Sequence, residues 1–309
     1  MIESLLNVSE KVLFLFLLIG VGVVLARKKV VTETGASQMS AVLVNIVAPC
    51  VIIGAFQIDR DSLSLWELGV VGALSLLAGG VGIAVTYLFF RREPPPLKQV
   101  LRFGAIYPNS GFMGLPLIQA FLGGKGVIYA SVFISVYNAL TWTHGFLLMS
   151  GKGEKISPVK AVFNPGTLGI FIGLPLFLFS IRLPDVLALA VDSMASLNTP
   201  VAMLCVGYYI ASVSLKETIK DLRIYKVSLI RLILTPAALF LLMLPLGLSY
   251  DIFATLIIEA STPCAAMTAI FAARFQRDAP YASKLVAVST LLSIVTMPLF
   301  ASLVSVVIS

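Results

Sequence analysis

Tyr107-Pro108-Asn109-Ser110-Gly111-Phe112-Met113-Gly114-Leu115-Pro116 stands in the middle of an apolar run. Two prolines, two glycines and an Asn-Ser pair predict a broken helix, because proline removes a backbone donor and glycine frees the chain. A bilayer tolerates such open backbone only where it is buried in protein or lines a cavity. A second stretch of this kind, Glu259-Ala260-Ser261-Thr262-Pro263-Cys264-Ala265-Ala266, lies in a later apolar run. Pro108 is about ten residues into its run and Pro263 about twelve into its own. At ~1.5 Å of rise per residue both fall near the middle of a membrane. Two broken helices meeting there predict a binding site. Their half-helix N-termini carry partial positive charge and free N–H groups, which suit a carboxylate.

The rest of the chain agrees with that setting. Of 309 residues, 59% are hydrophobic and 12% charged, and the mean hydropathy is +1.00. A soluble domain carries about 45–50% apolar and about 25% charged residues. Apolar runs long enough to cross ~30 Å of hydrocarbon recur throughout. They predict an all-α polytopic membrane protein with ten spans, at 11–27, 38–56, 66–90, 98–122, 126–149, 165–182, 184–212, 226–248, 251–274 and 282–306. No stretch is long and polar enough for a nucleotide-binding module, and no phosphate-loop or dinucleotide pattern occurs, which excludes a self-contained ATP-driven pump. His144 is the only histidine, and no Ser/His/Asp grouping or zinc-protease pattern accompanies it, so no enzyme is expected. Cys50, Cys205 and Cys264 all lie in apolar runs and are read as packing residues, with no disulfide, metal site or cofactor expected. Glu3, Glu10 and Lys11 precede the first run without a basic leader, so that run is read as a retained helix.

The net charge of +7 does not indicate a nucleic-acid partner, because the basic residues sit in short loops between spans. One side carries Arg27, Lys28, Lys29, Arg91, Arg92, Lys98, Arg102, Lys152, Lys155, Lys160, Lys216, Lys220, Arg223, Lys226, Arg231, Arg274, Arg277 and Lys284. The other carries Lys11, Arg60, Lys125 and Arg182. By the positive-inside rule the rich side is cytoplasmic and both termini are extracytoplasmic. Three landmarks recur at nearly one spacing: Ile19-Gly20 with Ile172-Gly173, Pro49 with Pro200, and Pro108 with Pro263. They predict two five-helix repeats, residues 1–155 and 156–309, the second inverted because five is odd. Inverted repeats with discontinuous helices at the midplane are a pattern of secondary transporters.

Candidate site residues follow from depth and chemistry. Pro108, Asn109, Ser110 and Gly111 on one broken helix, with Ser261, Thr262, Pro263 and Cys264 on the other, form the candidate substrate site. Glu259 is the one acid deep in its span, and an intramembrane carboxylate is a functional hypothesis by default. It is a candidate proton or cation site, as is Asp192 nearer the outer end of the seventh span. Asn45 and Asn198 lie close to Pro49 and Pro200, where they can satisfy freed backbone groups or touch substrate. Asn138, next to Tyr137 in the fifth span, faces either the crossover or a neighbouring helix. His144, after Thr141 and Trp142, is read as an interfacial anchor. Arg102 and Arg231 are read as side chains snorkelling to the cytoplasmic interface, with Arg102 also a candidate contact for an anion in an inward-facing state.

Several of these segments together resemble a known family. Pro108-Asn109-Ser110-Gly111 running into Gly114-Leu115-Pro116-Leu117, Asn164-Pro165 opening the sixth span, Ser261-Thr262-Pro263, and Ser289-Thr290-Leu291-Leu292-Ser293 before Pro298 resemble the auxin efflux carriers. That family includes plant PIN-type carriers and bacterial malate or malonate permeases, and the likeness covers nearly the whole chain in order. It implies the ten-helix fold shared with bile-acid symporters and sodium/proton antiporters, with helices 4 and 9 broken and crossing. It also implies a scaffold of helices 1, 2, 6 and 7, a mobile core of helices 3–5 and 8–10, elevator-type motion, and a homodimer through the scaffold. By position, Pro108 and Pro263 become the crossover prolines and Asn109 a substrate contact. The long cytoplasmic loop of the plant carriers is replaced here by Gly151–Phe163. The expected function is secondary active transport of a small organic anion, a malate- or malonate-like or auxin-like mono- or dicarboxylate, coupled to protons or sodium, in a plasma membrane such as the bacterial inner membrane. Two other readings stand beside it: a sodium/proton exchanger or sodium-coupled symporter of the same fold, and a non-transporting receptor.

Overall fold

The computed structural model describes residues 2–95, 97–150, 165–213 and 220–308. Lys152, Lys155, Lys160, Asn164 and Lys216, which entered the reading above, lie outside the described residues. Helices make up the described chain, with no strand among them. In order they are α1 (Ile2–Arg27), α2 (Glu33–Ala55), α3 (Leu65–Phe89), α4 (Leu97–Ile106), α5 (residues 110–122) and α6 (residues 124–150). There follow α7 (Pro165–Leu178), α8 (Asp185–Ala211), α9 (Leu222–Leu246), α10 (Tyr250–Ala260), α11 (Met267–Arg274) and α12 (Ala279–Val307).

Side-chain caps fix several starts. Thr32 accepts from Gly35 N before α2, Asp221 from Arg223 N before α9, and Asp278 from Tyr281 N before α12. A capping box of Ser64 and Glu67 opens α3; such caps contribute about 1 kcal/mol each. Gly123, at φ 62° and ψ −152°, divides α5 from α6, and Gly247, at φ 60°, ends α9 in the left-handed region.

Proline placement explains three wide turns. The π-turns Leu43–Val47, Ser110–Gly114 and Ile230–Leu234 each end two residues before a proline, Pro49, Pro116 and Pro236 respectively. A proline ring collides with the carbonyl four residues back, and one widened turn moves that carbonyl aside while the helix continues.

Small residues set the closest packing. A Cβ on Gly22 of α1 would sit 2.6 Å from Leu204 O, and one on Gly207 of α8 would sit 2.7 Å from Gly22 Cα, so these two backbones touch. On α7, Gly169 rests on Ile52 of α2 and Gly173 on Phe56, the residue just past its end. Gly20, by contrast, has nothing within 4 Å of its would-be Cβ. The Ile-Gly match between α1 and α7 therefore does not carry over into matching surroundings.

Many outward-facing side chains are large and apolar: Leu241 is 68% exposed, Leu189 69% and Val295 72%, as lipid contact favours. Six helical runs among the described residues are long and apolar enough to cross a membrane: α2, α3, the divided Ser110–Ser150 run, α8, α9 and α12. The chain is a polytopic membrane protein. Of the other predicted spans, 11–27 and 165–182 fall on α1 and α7, and 251–274 falls on the divided α10 and α11. At one end of the molecule Arg182 pairs with Asp59, and Leu183 N donates to Gln57 Oε1. Among the loops with most cations, Arg223 pairs with Glu93, Lys226 donates to Phe89 O and Arg277 to Met149 O.

Candidate functional site

The two broken segments meet. After α4 the chain extends through Tyr107, Pro108 and Asn109, and after α10 it turns into Pro263, Cys264 and Ala265. These lengths pair as a short antiparallel bridge centred on Pro108 and Cys264. Asn109 N donates to Pro263 O at 2.8 Å, and Ala265 N donates to Tyr107 O at 2.9 Å. Pro108 occupies the position whose N–H the bridge does not use, so its missing donor leaves no gap. Ser289 of α12 supports the bridge from behind, its Oγ accepting from Cys264 N at 3.1 Å.

α4 and α10 end at this point, and α5 and α11 begin. Helix ends leave carbonyls without partners on one side and N–H groups without partners on the other. The carbonyl side is served by Arg231, in the π-turn of α9. Its Nη1 donates to Ile106 O at 2.8 Å and its Nη2 donates to Ala260 O. Arg231 is fully buried, which corrects its reading as a snorkelling residue. α9 passes directly behind the crossover, and the guanidinium finds two carbonyl-rich helix C-termini closer than the interface. A cation there also opposes the negative ends of both helix dipoles.

The N–H side faces a cavity of about 430 Å³. Ser37, Ser40 and Asn45 of α2 with Asn198 and Tyr209 of α8 form one wall. The other is built from Pro108 to Phe112, Ala265 to Met267, and Ile134, Tyr137, Asn138 and Thr141 of α6. Among the described residues, no charged side chain lines it. Its polar character comes from neutral groups and from the starts of α5 and α11. Asn198 Nδ2 is buried and meets no partner, while the Ser110 hydroxyl faces the Glu259 carboxyl group, the Tyr137 hydroxyl faces the Arg231 guanidinium, and Ser40 faces Tyr209. Asn45 Nδ2 donates to Ala41 O, a carbonyl of its own helix, at 2.8 Å. Tyr137, Ser40 and Tyr209 were not singled out from sequence. A tyrosine in mid-span was the available signal for the first, while the α2 and α8 faces were unreadable.

With this geometry in place, the comparison with known proteins is direct. A family model described as membrane transport protein, that of the auxin efflux carriers, matches residues 7–301. The chain belongs to this family. As an auxin efflux carrier family member it is a membrane transporter. A Methanothermobacter thermautotrophicus protein named as an uncharacterized transporter is 26% identical over 305 residues, covering 94% of this chain and 97% of that one. A Rhizobium meliloti protein proposed to be a malonate transporter is 25% identical over 252 residues, covering 78% of this chain and 76% of its own.

Within this transporter the remaining candidates fall in different places. Asn109, Ser110, Gly111, Asn138, Asn45 and Asn198 gather around the cavity with Pro108. Ser261, Thr262, Pro263 and Cys264 are at the crossover but do not line the cavity, where Ala265 and Ala266 stand instead. The Ser261 and Thr262 hydroxyls turn back to Ile258 O and Glu259 O, both at 2.8 Å, because the end of α10 leaves those carbonyls open. Glu259 is fully buried behind the start of α5, where its carboxyl group faces the Ser110 hydroxyl. A Cβ on Gly114 would lie 2.8 Å from Glu259 Oε1, so the glycine makes room for the carboxyl group. Asp192 is exposed on α8, near Gly54 of α2 and away from the crossover. His144 is more than an interfacial anchor: its Nε2 meets Tyr87 Oη at 3.2 Å and its Nδ1 meets Tyr107 Oη at 2.8 Å.

Proposed function

We propose that this transporter is a secondary carrier of a small organic anion, a mono- or dicarboxylate of the malonate or malate kind, bound at the crossover. The observation that carries the reading is the cavity beside the Pro108–Cys264 bridge. It is lined by the partnerless Nδ2 of Asn198, the Ser110 and Tyr137 hydroxyls and two half-helix N-termini, with no carboxylate among the described residues that line it. Buried donors without partners cost free energy, and a bound carboxylate would satisfy them. The Rhizobium relative supports malonate as the first cargo to try.

The proposal extends to the architecture: ten passes in two inverted five-helix repeats, with the cation-rich loops cytoplasmic and both termini outside, in a bacterial inner membrane. In the helix labels used here, α1, α2, α7 and α8 are the scaffold and the remaining helices the moving core. The cavity lies between α2 and α8 on one side and α5, α6 and α11 on the other, the placement an elevator-type carrier needs. A homodimer would form through the scaffold.

Glu259 favours a coupling role for a proton or a sodium ion. Its carboxyl group is buried one residue layer behind the cavity, against Gly114 and the Ser110 hydroxyl of the turn that starts α5. A pure sodium/proton exchanger is the second reading, and the same carboxyl group would carry it. Proteoliposome uptake of labelled malonate and malate, with pH and sodium gradients imposed separately, tests both. Gradient-driven accumulation of either acid supports the carrier; sodium/proton exchange with no organic anion moving would replace it with the exchanger.

A further inference from the structure

Apart from the crossover cavity, at a cation-rich end of the molecule, α3, α4 and α6 enclose a pocket of about 340 Å³. Tyr87, Lys98, Gln99, Arg102 and His144 form its polar wall. Lys98 and Arg102 stand four residues apart on α4, a spacing at which like charges repel. Both meet backbone carbonyls. Lys98 Nζ donates to Arg91 O at 2.9 Å, and Arg102 Nη2 donates to Phe90 O at 3.2 Å. Among the described residues neither forms an ion pair with a carboxylate. An ammonium has three donors and a guanidinium five, so most of this capacity is open, and Arg102 Nε is buried without a partner.

The pocket is also tied to the crossover. Arg102 lies 3.8 Å over the Tyr87 ring, which holds the guanidinium plane. Tyr87 Oη meets His144 Nε2, and His144 Nδ1 meets Tyr107 Oη. Tyr107 gives its hydroxyl hydrogen to Leu140 O at 3.1 Å. The main chain of Tyr107 is one strand of the crossover bridge.

We propose that this pocket is a second anion site, which binds a carboxylate or phosphate oxyanion between Lys98 and Arg102 and reports its occupancy to the crossover through Tyr87, His144 and Tyr107. The oxyanion would come either from a soluble acid or from an anionic lipid headgroup. Neither source requires that the crossover cavity carry an anion.

His144 is the single histidine of the chain, so protein purified on a histidine-free tag and labelled with ¹³C-histidine gives one imidazole NMR signal from within this network. In phosphatidylcholine nanodiscs, titration with malonate and with inorganic phosphate is compared with sodium chloride at equal ionic strength. A parallel preparation replaces part of the phosphatidylcholine with phosphatidylglycerol. A saturable shift with malonate or phosphate supports a soluble ligand, and a shift confined to phosphatidylglycerol supports a lipid headgroup. Lys98→Gln is expected to weaken the response about tenfold, the loss of one charged hydrogen bond, and Lys98→Gln with Arg102→Gln to abolish it. A signal unmoved by malonate, phosphate and phosphatidylglycerol, or moved equally by chloride, overturns the proposal. So does an undiminished response in Lys98→Gln, which decides the matter even where the double variant does not fold.

Discussion

Arg231 supplies from one side chain what two helices lose where they stop. Replacing it with alanine leaves Ile106 O and Ala260 O buried without donors, at about 1–3 kcal/mol each. Arg231→Ala is therefore expected to lower the melting temperature of the detergent-purified protein clearly, and Arg231→Lys to recover part of the loss. A variant that melts with the wild type would show that those carbonyls find other partners. Gly114 and Glu259 give a sharper test. Gly114→Ala forces a methyl into the Glu259 carboxyl group, an overpacking of about 1–3 kcal/mol. In a Glu259→Ala background the same methyl has room, so the double-mutant cycle is expected to show a coupling of at least about 1 kcal/mol. Asn198 behaves in the opposite way. Its Nδ2 has no partner to lose, so Asn198→Leu is expected to melt no lower than the wild type. On the carrier reading it weakens malonate uptake about tenfold, the worth of one hydrogen bond to a charged group. Depth along a helix was readable for these residues, and direction around it was not. Arg231 near the end of an apolar run looks like a snorkelling cation until α9 is seen to pass behind the crossover. Ser261 and Thr262 share a depth with the cavity but turn toward the carbonyls of α10.

At the scale of the element, breaks were more legible than faces. The clusters around Pro108 and Pro263 announced two interrupted helices, because proline and glycine act on the backbone whatever their neighbours are. The π-turns before Pro49, Pro116 and Pro236 follow from the same collision, yet the sequence does not say whether a helix will widen, kink or stop. Glycine contacts were the hardest to read. Gly20 belonged to a recurring pair, whereas the backbone contact of α1 with α8 is made by Gly22 and Gly207. A substitution pair separates the two roles: Gly20→Leu is expected to leave expression and melting temperature unchanged, while Gly207→Leu drives α1 off α8 and lowers both. Equal behaviour of the two variants would mean that the α1–α8 contact does not hold the fold.

For the whole molecule, apolar runs located most helix ends to within about five residues, since length and hydropathy are one-dimensional properties, but α1 starts at Ile2, well before the predicted span at 11–27. Sidedness is the larger question. The proposed orientation puts Ser62 and Ser180 outside and Arg92 and Gln276 inside. Single cysteines placed there, in a background lacking Cys50, Cys205 and Cys264, are to be treated in intact cells with a membrane-impermeant maleimide. Labelling of the first pair with protection of the second is the expected result, and the reverse pattern inverts the topology. The crossover adds something to this picture. Its polarity comes largely from peptide groups: the bridge between Pro108 and Cys264 and the first N–H groups of α5 and α11. Proline aside, peptide groups are the same whichever amino acid stands there. In such a design the vocabulary for cargo is written in the side chains of the cavity wall, while the grammar that receives a charge is written in the main chain, and the first can be edited without rewriting the second.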